Sequence, residues 1–538
     1  MRAVPVRRGR PHGCPGCPRV GSGPRVSDFR SGPASSPVVS GEGLRIVGRR
    51  AGGGQHVGST TGRARRRGLP ALMIALAVLV TGCTSAVSGT AMKIGAATVD
   101  PGPSAEGPNG AKAGVAPADL KVTGDANTEW DVQAKNTLAD LEAFYTQVLP
   151  ENFPGTTFKG PDELFSYDSE DSSASACGRD LYGEANAAYD PSCNSIMWDR
   201  GVLLPRMAEE VGDLAAPTIL AHEMGHLVQY LLGTTFDGET VIMLEQQADC
   251  YAGAYWRWVA DGNSTYYDLN QGVGMREVLT AMMWTGDPVG MTASAEQAHG
   301  SGFDRSLAFS LGYANGVKRC DEIDQAEVDQ RITEAGFTVI PKDFGNVDIT
   351  EDFIDAVAET LNLYFEEILG ATYQAPTLTT FEGTTGPDCN GTPGTFPVSY
   401  CGSTNTVSYN LAELQRIGTP NAGFASTNGD FSAVVLLASR YALAAQNPGG
   451  QNPLGNQAGL RALCYSGAWA SWMKEPRGPQ NLALNPTDLN KAVYQVMESP
   501  LAASDTAGKT STFVIDQVQA LYIGVVQGAT ECYDFYAA

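Results

Sequence analysis

Two histidines and a glutamate fall within five residues, His222-Glu223-Met224-Gly225-His226, and they are the residues whose types and spacing could do chemistry. On a helix, residues four apart lie on one face, so both imidazoles can reach a single ion. Glu223, next to the first of them, is then placed to take a proton from water that such an ion activates. Histidine is scarce in this chain: His12, His56, His222, His226 and His299 are the five among 538 residues. Two of them set four apart around a glutamate predict a metal site rather than a surface helix that carries them by chance.

Zinc, the metal this pattern predicts, takes a third protein ligand and keeps one position open for water. A third histidine six residues past His226 is excluded, because Gln229 and Leu232 occupy the glycine and histidine places of that longer motif. A carboxylate remains, with Glu239, Glu245 and Asp249 in reach along the chain. The Glu245-x-x-x-Asp249 spacing resembles the glutamate zincins. That resemblance implies Glu245 as the third metal ligand and Asp249 as the acceptor that fixes the tautomer of His222. Asp249 or Glu239 as the ligand is the alternative.

A more specific resemblance rests on three blocks: His222-Glu223-x-Gly225-His226-x-Val228-Gln229, Glu245-x-Gln247-Ala248-Asp249-Cys250-x-Ala252-Gly253, and His299-Gly300-Ser301-x-x-x-Arg305. Together they resemble the bacterial neutral zinc metallopeptidases over roughly residues 125–320, and Cys177-Gly178 with Cys193 fit the upstream part of that family. The sequence departs from the pattern at Tyr230-Leu231, away from the ligands. The expected reaction is peptide-bond hydrolysis, with Glu223 as general base toward the attacking water and then as acid toward the leaving amine. The oxyanion needs a donor besides the metal. His299 is the catalytic candidate, being the one late histidine not already used; a buried structural role beside Arg305 is its alternative. The strand Ile196–Trp198 is expected to take the substrate as an added β-strand.

The site needs elements to carry it. Thr218-Ile219-Leu220, Leu227-Val228 and Tyr230-Leu231-Leu232 flank the motif with apolar residues, which predicts a buried helix from about Ala215 to Leu232, stopped by Gly233. A second helix from Val241 to Val259 carries Glu245 and Asp249. Others are expected from an N-cap at Asn127 or Thr128 to a stop at Pro150, over Met275–Trp284 and over Phe303–Val317, with a short strand at Ser195–Asp199.

The pattern then returns. Leu361, Tyr364, Phe365, Ile368 and Leu369 follow Leu141, Phe144, Tyr145, Val148 and Leu149 at a constant offset of 220. Cys177, Cys193, Cys250 and Cys320 are followed by Cys389, Cys401, Cys464 and Cys532 at offsets of 212, 208, 214 and 212. The expected fold is therefore α+β and mainly helical: a zincin-like metallopeptidase domain at 125–335, then a tandem pseudo-catalytic copy at 345–538. Equivalent copies should use equivalent bridges, which selects Cys177–Cys193 with Cys389–Cys401, and Cys250–Cys320 with Cys464–Cys532. Cys250 as a metal ligand or free thiol is the rival, weakened because Cys464 has no metal motif beside it. In the copy Ser439, Arg440 and Leu443 stand where His222, Glu223 and His226 do, and no histidine follows His299. That copy is expected to bind a partner or shield the active site.

The N-terminal stretch reads differently. Arg63, Arg65, Arg66 and Arg67 precede an apolar run from Leu69 to Val80, too short to span a bilayer, and Val80-Thr81-Gly82-Cys83 follows. This resembles a lipoprotein signal in which Cys83 is lipidated. Residues 1–83 are then a structureless start plus signal, and 84–124, rich in Ala, Gly, Ser, Pro and Thr, a flexible tether. Residues 1–82 hold 14 of the 36 Lys+Arg but 2 of the 59 Asp+Glu, so the remainder is more acidic than the whole chain's net −23. Such a body repels phosphate backbones, and nucleic acid is not an expected partner. The overall expectation is a lipid-anchored zinc peptidase on the extracytoplasmic face of the cell membrane, acting on a peptide or protein. The alternatives are a scaffolding lipoprotein with a vestigial metal site, and a zinc amidase acting on cell-wall peptides.

Overall fold

A computed structural model describes residues 104–234, 241–287, 291, 298–332, 346–420, 428–447 and 450–536. The signal region, Cys83, most of the tether's first half and Glu239 lie outside the described residues.

In its first half the chain runs β1 (Gly110–Ala111), α1 (Glu129–Asn152), β2 (Glu163–Tyr167), β3 (Ser175–Ala176), β4 (Arg179–Asp180), β5 (Ala187–Asp190), β6 (Ser195–Asp199), α2 (Leu203–Glu210), α3 (Ala215–Leu232), α4 (Val241–Ala260), β7 (Tyr267–Asp268), α5 (Val273–Trp284), α6 (Gly302–Asn315), α7 (Val317–Asp321) and α8 (Gln325–Arg331). The second half runs α9 (Glu351–Leu369), β8 (Thr377–Thr380), β9 (Gly386–Cys389), β10 (Thr392–Gly394), β11 (Val398–Cys401), β12 (Thr406–Tyr409), α10 (Leu411–Ile417), α11 (Asp430–Gln446), α12 (Asn456–Trp472), α13 (Asp488–Glu498), α14 (Val514–Gln527) and α15 (Ala529–Phe535). The class is α+β with helix predominating.

Local chemistry sets the element ends. Thr128 and Asp131 form a capping box that starts α1. The helix does not stop at Pro150 as the sequence suggests; it continues to Asn152. A proline in the last turn forfeits one intrahelical bond and leaves little helix beyond it to break. Gly233, in the left-handed region at φ 80°, ends α3. α3 is buried almost all round, packed among α1, α2, α4, α5 and β5.

Each half has a small three-stranded sheet. In the first, β2 runs parallel to β6 and β5 antiparallel to it, in the order β2-β6-β5. In the second, β8 runs parallel to β12 and β11 antiparallel to it. The strand expected to receive substrate, β6, is thus the central one and wholly buried, with both edges already paired. The free edge belongs to β5.

α4 crosses α6 where Gly253 faces the Phe309 carbonyl and Gly312 faces the Cys250 carbonyl. α12 crosses α14 in the same way, Gly467 against the Leu521 carbonyl and Gly524 against that of Cys464. A Cβ at any of these four positions would overlap backbone. The cystines are Cys177–Cys193, Cys250–Cys320, Cys389–Cys401 and Cys464–Cys532. Cys250 is therefore neither a ligand nor a free thiol. One apolar core runs through both halves, and α13 and α14 rest on α5 and α6. There the Phe303 ring meets Tyr522 edge-on at 4.8 Å and the Phe303 amide donates to Asn490 Oδ1 at 2.7 Å. Among the described residues no helix is long and apolar enough to cross a membrane.

Gly312→Ala and Gly524→Ala are each expected to destabilise the protein by about 1–3 kcal/mol, toward the upper end because a backbone carbonyl yields little. Urea unfolding measures this, and a change below about 0.5 kcal/mol, the scale of a neutral surface substitution, would mean the helices do not touch so closely.

Candidate metal centre

α3 presents His222 and His226 one turn apart, and α4 crosses it closely enough to bring Glu245 to the same point. Gly225, between the two histidines, permits the approach: a Cβ there would stand 2.9 Å from Ala248 Cα. His222 Nε2 is 3.2 Å from His226 Nε2 and 3.2 Å from Glu245 Oε2. His226 Nε2 is 3.4 Å from Glu245 Oε1. Three donors at about 2.0–2.1 Å from a tetrahedral ion stand about 3.3 Å apart, the edge of that tetrahedron. The imidazole pair fits that figure, as does each imidazole with its own oxygen of Glu245; with one oxygen of Glu245 counted, the three donor atoms lie within 4.8 Å of one another.

What lies behind the donors fixes how they point. His222 Nδ1 faces Asp249 Oδ1 at 2.7 Å, so the ring's other nitrogen is left toward the convergence point. Asp249 is fully buried and gripped by Arg305, whose Nη2 reaches Oδ1 at 2.7 Å and whose Nε reaches Oδ2 at 3.1 Å. Arg305 Nη1 is held by the Thr285 carbonyl at 2.9 Å. His226 Nδ1 faces Gln229 Oε1 at 2.8 Å. Asp249 thus stands behind His222 rather than among the donors, while Glu245 stands among them.

The surroundings favour positive charge at the convergence point. Burial works against a charged His222, but the Asp249 carboxylate outweighs it and pushes the pKa up to about 10. Burial also opposes charge on His226, and Glu245 overcomes it, raising that imidazole too. Burial alone would raise the Glu245 carboxyl; the two imidazoles hold it well below the usual carboxylate range. Glu245 Oε2 is buried without a hydrogen-bond donor. A proton and a divalent cation compete for the same place.

Glu223 projects into a cavity of about 410 Å³ lined also by Ala187, Tyr189, Met207, Trp284 and His299. Its Oε2 accepts from the Tyr189 amide at 2.9 Å. In β5 the bonded pairs with β6 fall at Ala188 and Asp190, so the N–H and C=O of Ala187 and Tyr189 face outward, on the side where Glu223 lies. His299 lies on the cavity wall with its side chain 51% exposed, its Nδ1 3.6 Å from Asp287 Oδ1. It is neither buried nor bonded to Arg305, as its structural alternative required, and it is not one of the converging donors.

No family model matches the chain, and no solved structure matches it. Uncharacterized proteins of Mycobacterium bovis and of two strains of Mycobacterium tuberculosis are similar to it, 30% identical over 147 residues. The match covers 24% of this chain, and the chain spans about half the length of those relatives.

Reasoning from sequence left Gln229, Arg305 and Thr285 without a role. Gln229 had a visible signal, since three residues past His226 puts it on the same helix face. Arg305 stood in the third motif block and Thr285 in none, and the contacts of both depend on how α5 and α6 pack.

The charge on His222 makes a prediction. A group whose folded pKa is raised stabilises fully below its unfolded value, about 6.5, and that contribution is lost as pH rises through the folded value. Metal-free protein is expected to lose urea stability from about pH 6.5 through about 10. A saturating divalent metal, which needs neutral imidazoles, should remove much of that decline. Equal pH profiles with and without metal would contradict it.

Proposed function

We propose that the protein is an exported, lipid-anchored zinc peptidase of the zincin type. The observation that carries the reading is the convergence of His222, His226 and Glu245 on one point, with the Glu223 carboxylate one residue from the first donor. Two nitrogens and one carboxylate oxygen, with no thiolate, suit zinc in a hydrolytic site that keeps a position for water. A bound zinc supplies a Lewis acid and brings the pKa of water toward neutrality.

The chain's own residues do the rest. His222, His226 and Glu245 hold the ion; Asp249 and Gln229 keep the imidazole protons on the far side of each ring. Glu223, anchored by the Tyr189 amide, takes the proton of the attacking water and returns it to the leaving amine. An extended peptide added along β5 would pair with the outward N–H and C=O of Ala187 and the C=O of Tyr189, whose N–H holds Glu223, and this puts its backbone beside Glu223. This replaces β6 as the docking strand. His299, on the cavity wall, is the donor offered to the oxyanion.

The second half is read as a degenerate copy of the first. Supporting this are the equal order of helices, the same parallel and antiparallel pairing in each sheet, the matching glycine contacts and the matching cystines. At the position equivalent to Glu223, Arg440 is fully buried and donates to the carbonyls of Leu501, Ser504 and Asp505. With Ser439 and Leu443 at the places of His222 and His226, these equivalent positions offer no ligand set for an ion. It meets α5 and α6 of the first half rather than the cavity mouth as described, which favours a supporting role.

Glu223→Gln is expected to keep stoichiometric zinc while hydrolysis of casein or a peptide library falls about 10²–10⁴-fold, the share of a general base. Zinc without turnover in the unaltered protein would favour the scaffolding alternative. Cys83→Ala is expected to move the protein from the membrane fraction to the soluble one; continued membrane retention would remove the lipid anchor from this reading.

A further inference from the structure

We infer that Gln229 is a positioning residue that fixes the second histidine ligand, as Asp249 fixes the first, through a chain of amides whose direction is set by main-chain carbonyls. The inference rests on the metal reading above and deepens it.

The chain is read from its far end. The Ile323 carbonyl can only accept, so the group 2.7 Å from it is the Gln247 amide nitrogen. That turns Gln247 Oε1 toward Gln229, whose Nε2 donates to it at 2.9 Å. The same Nε2 donates to the Leu244 carbonyl at 2.7 Å, again an obligate acceptor. Both hydrogens of the Gln229 amide are thereby used, and its oxygen is left facing His226 Nδ1 at 2.8 Å. An acceptor there requires the proton on Nδ1. The lone pair of Nε2 is then directed at the point shared with His222 and Glu245. Gln229 and Gln247 are both buried, at 2% and 4% exposure, so water does not offer an alternative partner.

An internal control exists. Gln446 occupies the equivalent place in the second half: its Nε2 donates to the Ala458 carbonyl at 3.1 Å, and its oxygen accepts from Arg461 at 2.8 Å, with no histidine to orient. It performs the helix-bridging part of the task alone. Comparing the two glutamines separates architecture from ligand positioning.

The test uses the full chain and zinc itself. Gln229→Met is expected to raise the zinc Kd about 10–100-fold, the usual effect of losing a ligand's outer partner, measured by competition with a chelating dye. Gln446→Met should lower the melting temperature of the metal-free protein as much as Gln229→Met does, and leave the zinc Kd unchanged. Should both variants weaken zinc equally, or neither weaken it, the positioning role is overturned. If Gln229→Met does not fold, the unaltered zinc-loaded protein still decides. Nitrogen-15 labelled histidine should show an Nδ1–H proton on His226 as well as on His222, and an Nε2–H on His226 would refute the inference. An unaltered protein that binds no zinc would defeat the metal reading itself, an outcome separate from zinc bound with Gln229 immaterial.

Discussion

A buried carboxylate between two imidazoles is the interaction on which the rest of the structure depends. Taking Glu245 out of water costs several kcal/mol unless a cation answers it, and one of its oxygens has no hydrogen-bond donor. Asp249 is a second buried anion a helical turn away, but Arg305 already satisfies it. The cost at Glu245 falls to whatever positive charge sits between His222 and His226. With Asp249 behind it His222 is pushed toward the charged form, and Glu245 pushes His226 the same way. Gly225 makes the arrangement possible by letting α4 lie against α3.

The second half displays the same helices without that interaction. Where Glu223 would stand, Arg440 turns its guanidinium to main-chain carbonyls of the segment after α13. Burial lowers the Arg440 pKa despite the Asp505 carboxylate nearby. Carbonyl oxygens answer the guanidinium as a cation would answer a carboxylate, so each half satisfies its buried charge locally. The helix crossings made by Gly253 and Gly312, and by Gly467 and Gly524, survive in both because they depend on backbone proximity rather than on chemistry.

Much of this was legible in the sequence for definite reasons. Gly233 and Thr128 announce helix ends through local backbone chemistry, which needs no tertiary information. The cystine pairs were legible because the repeat reduced many pairings to one consistent set. Pro150 misled because its effect depends on how much helix remains beyond it. The role of β6 misled because a strand's position in a sheet depends on its partner: β2 lies about thirty residues earlier and pairs with β6 in parallel, and no periodicity within Ser195–Asp199 reveals it. Gln229 and Arg305 stood in the motif blocks, but their roles escaped because hydrogen-bond direction and helix packing decide which groups they meet.

The support of the site does not stop at the first half. Arg305 holds Asp249, and Arg305 rides on α6. One face of α6 meets α4 through Gly312, and another meets α13 and α14. Near the start of α6, the Phe303 amide is answered by Asn490 and the Phe303 ring by Tyr522. Any shift of α6 toward the second half would lengthen the Arg305–Asp249 contact and release the acceptor that orients His222. The second half therefore bears on the His222–Asp249 pair, since it closes the far side of the helix that carries the guanidinium. Removing the second half would expose the apolar faces of α5 and α6 and free one side of the helix that carries the counter-ion of the buried Asp249 carboxylate.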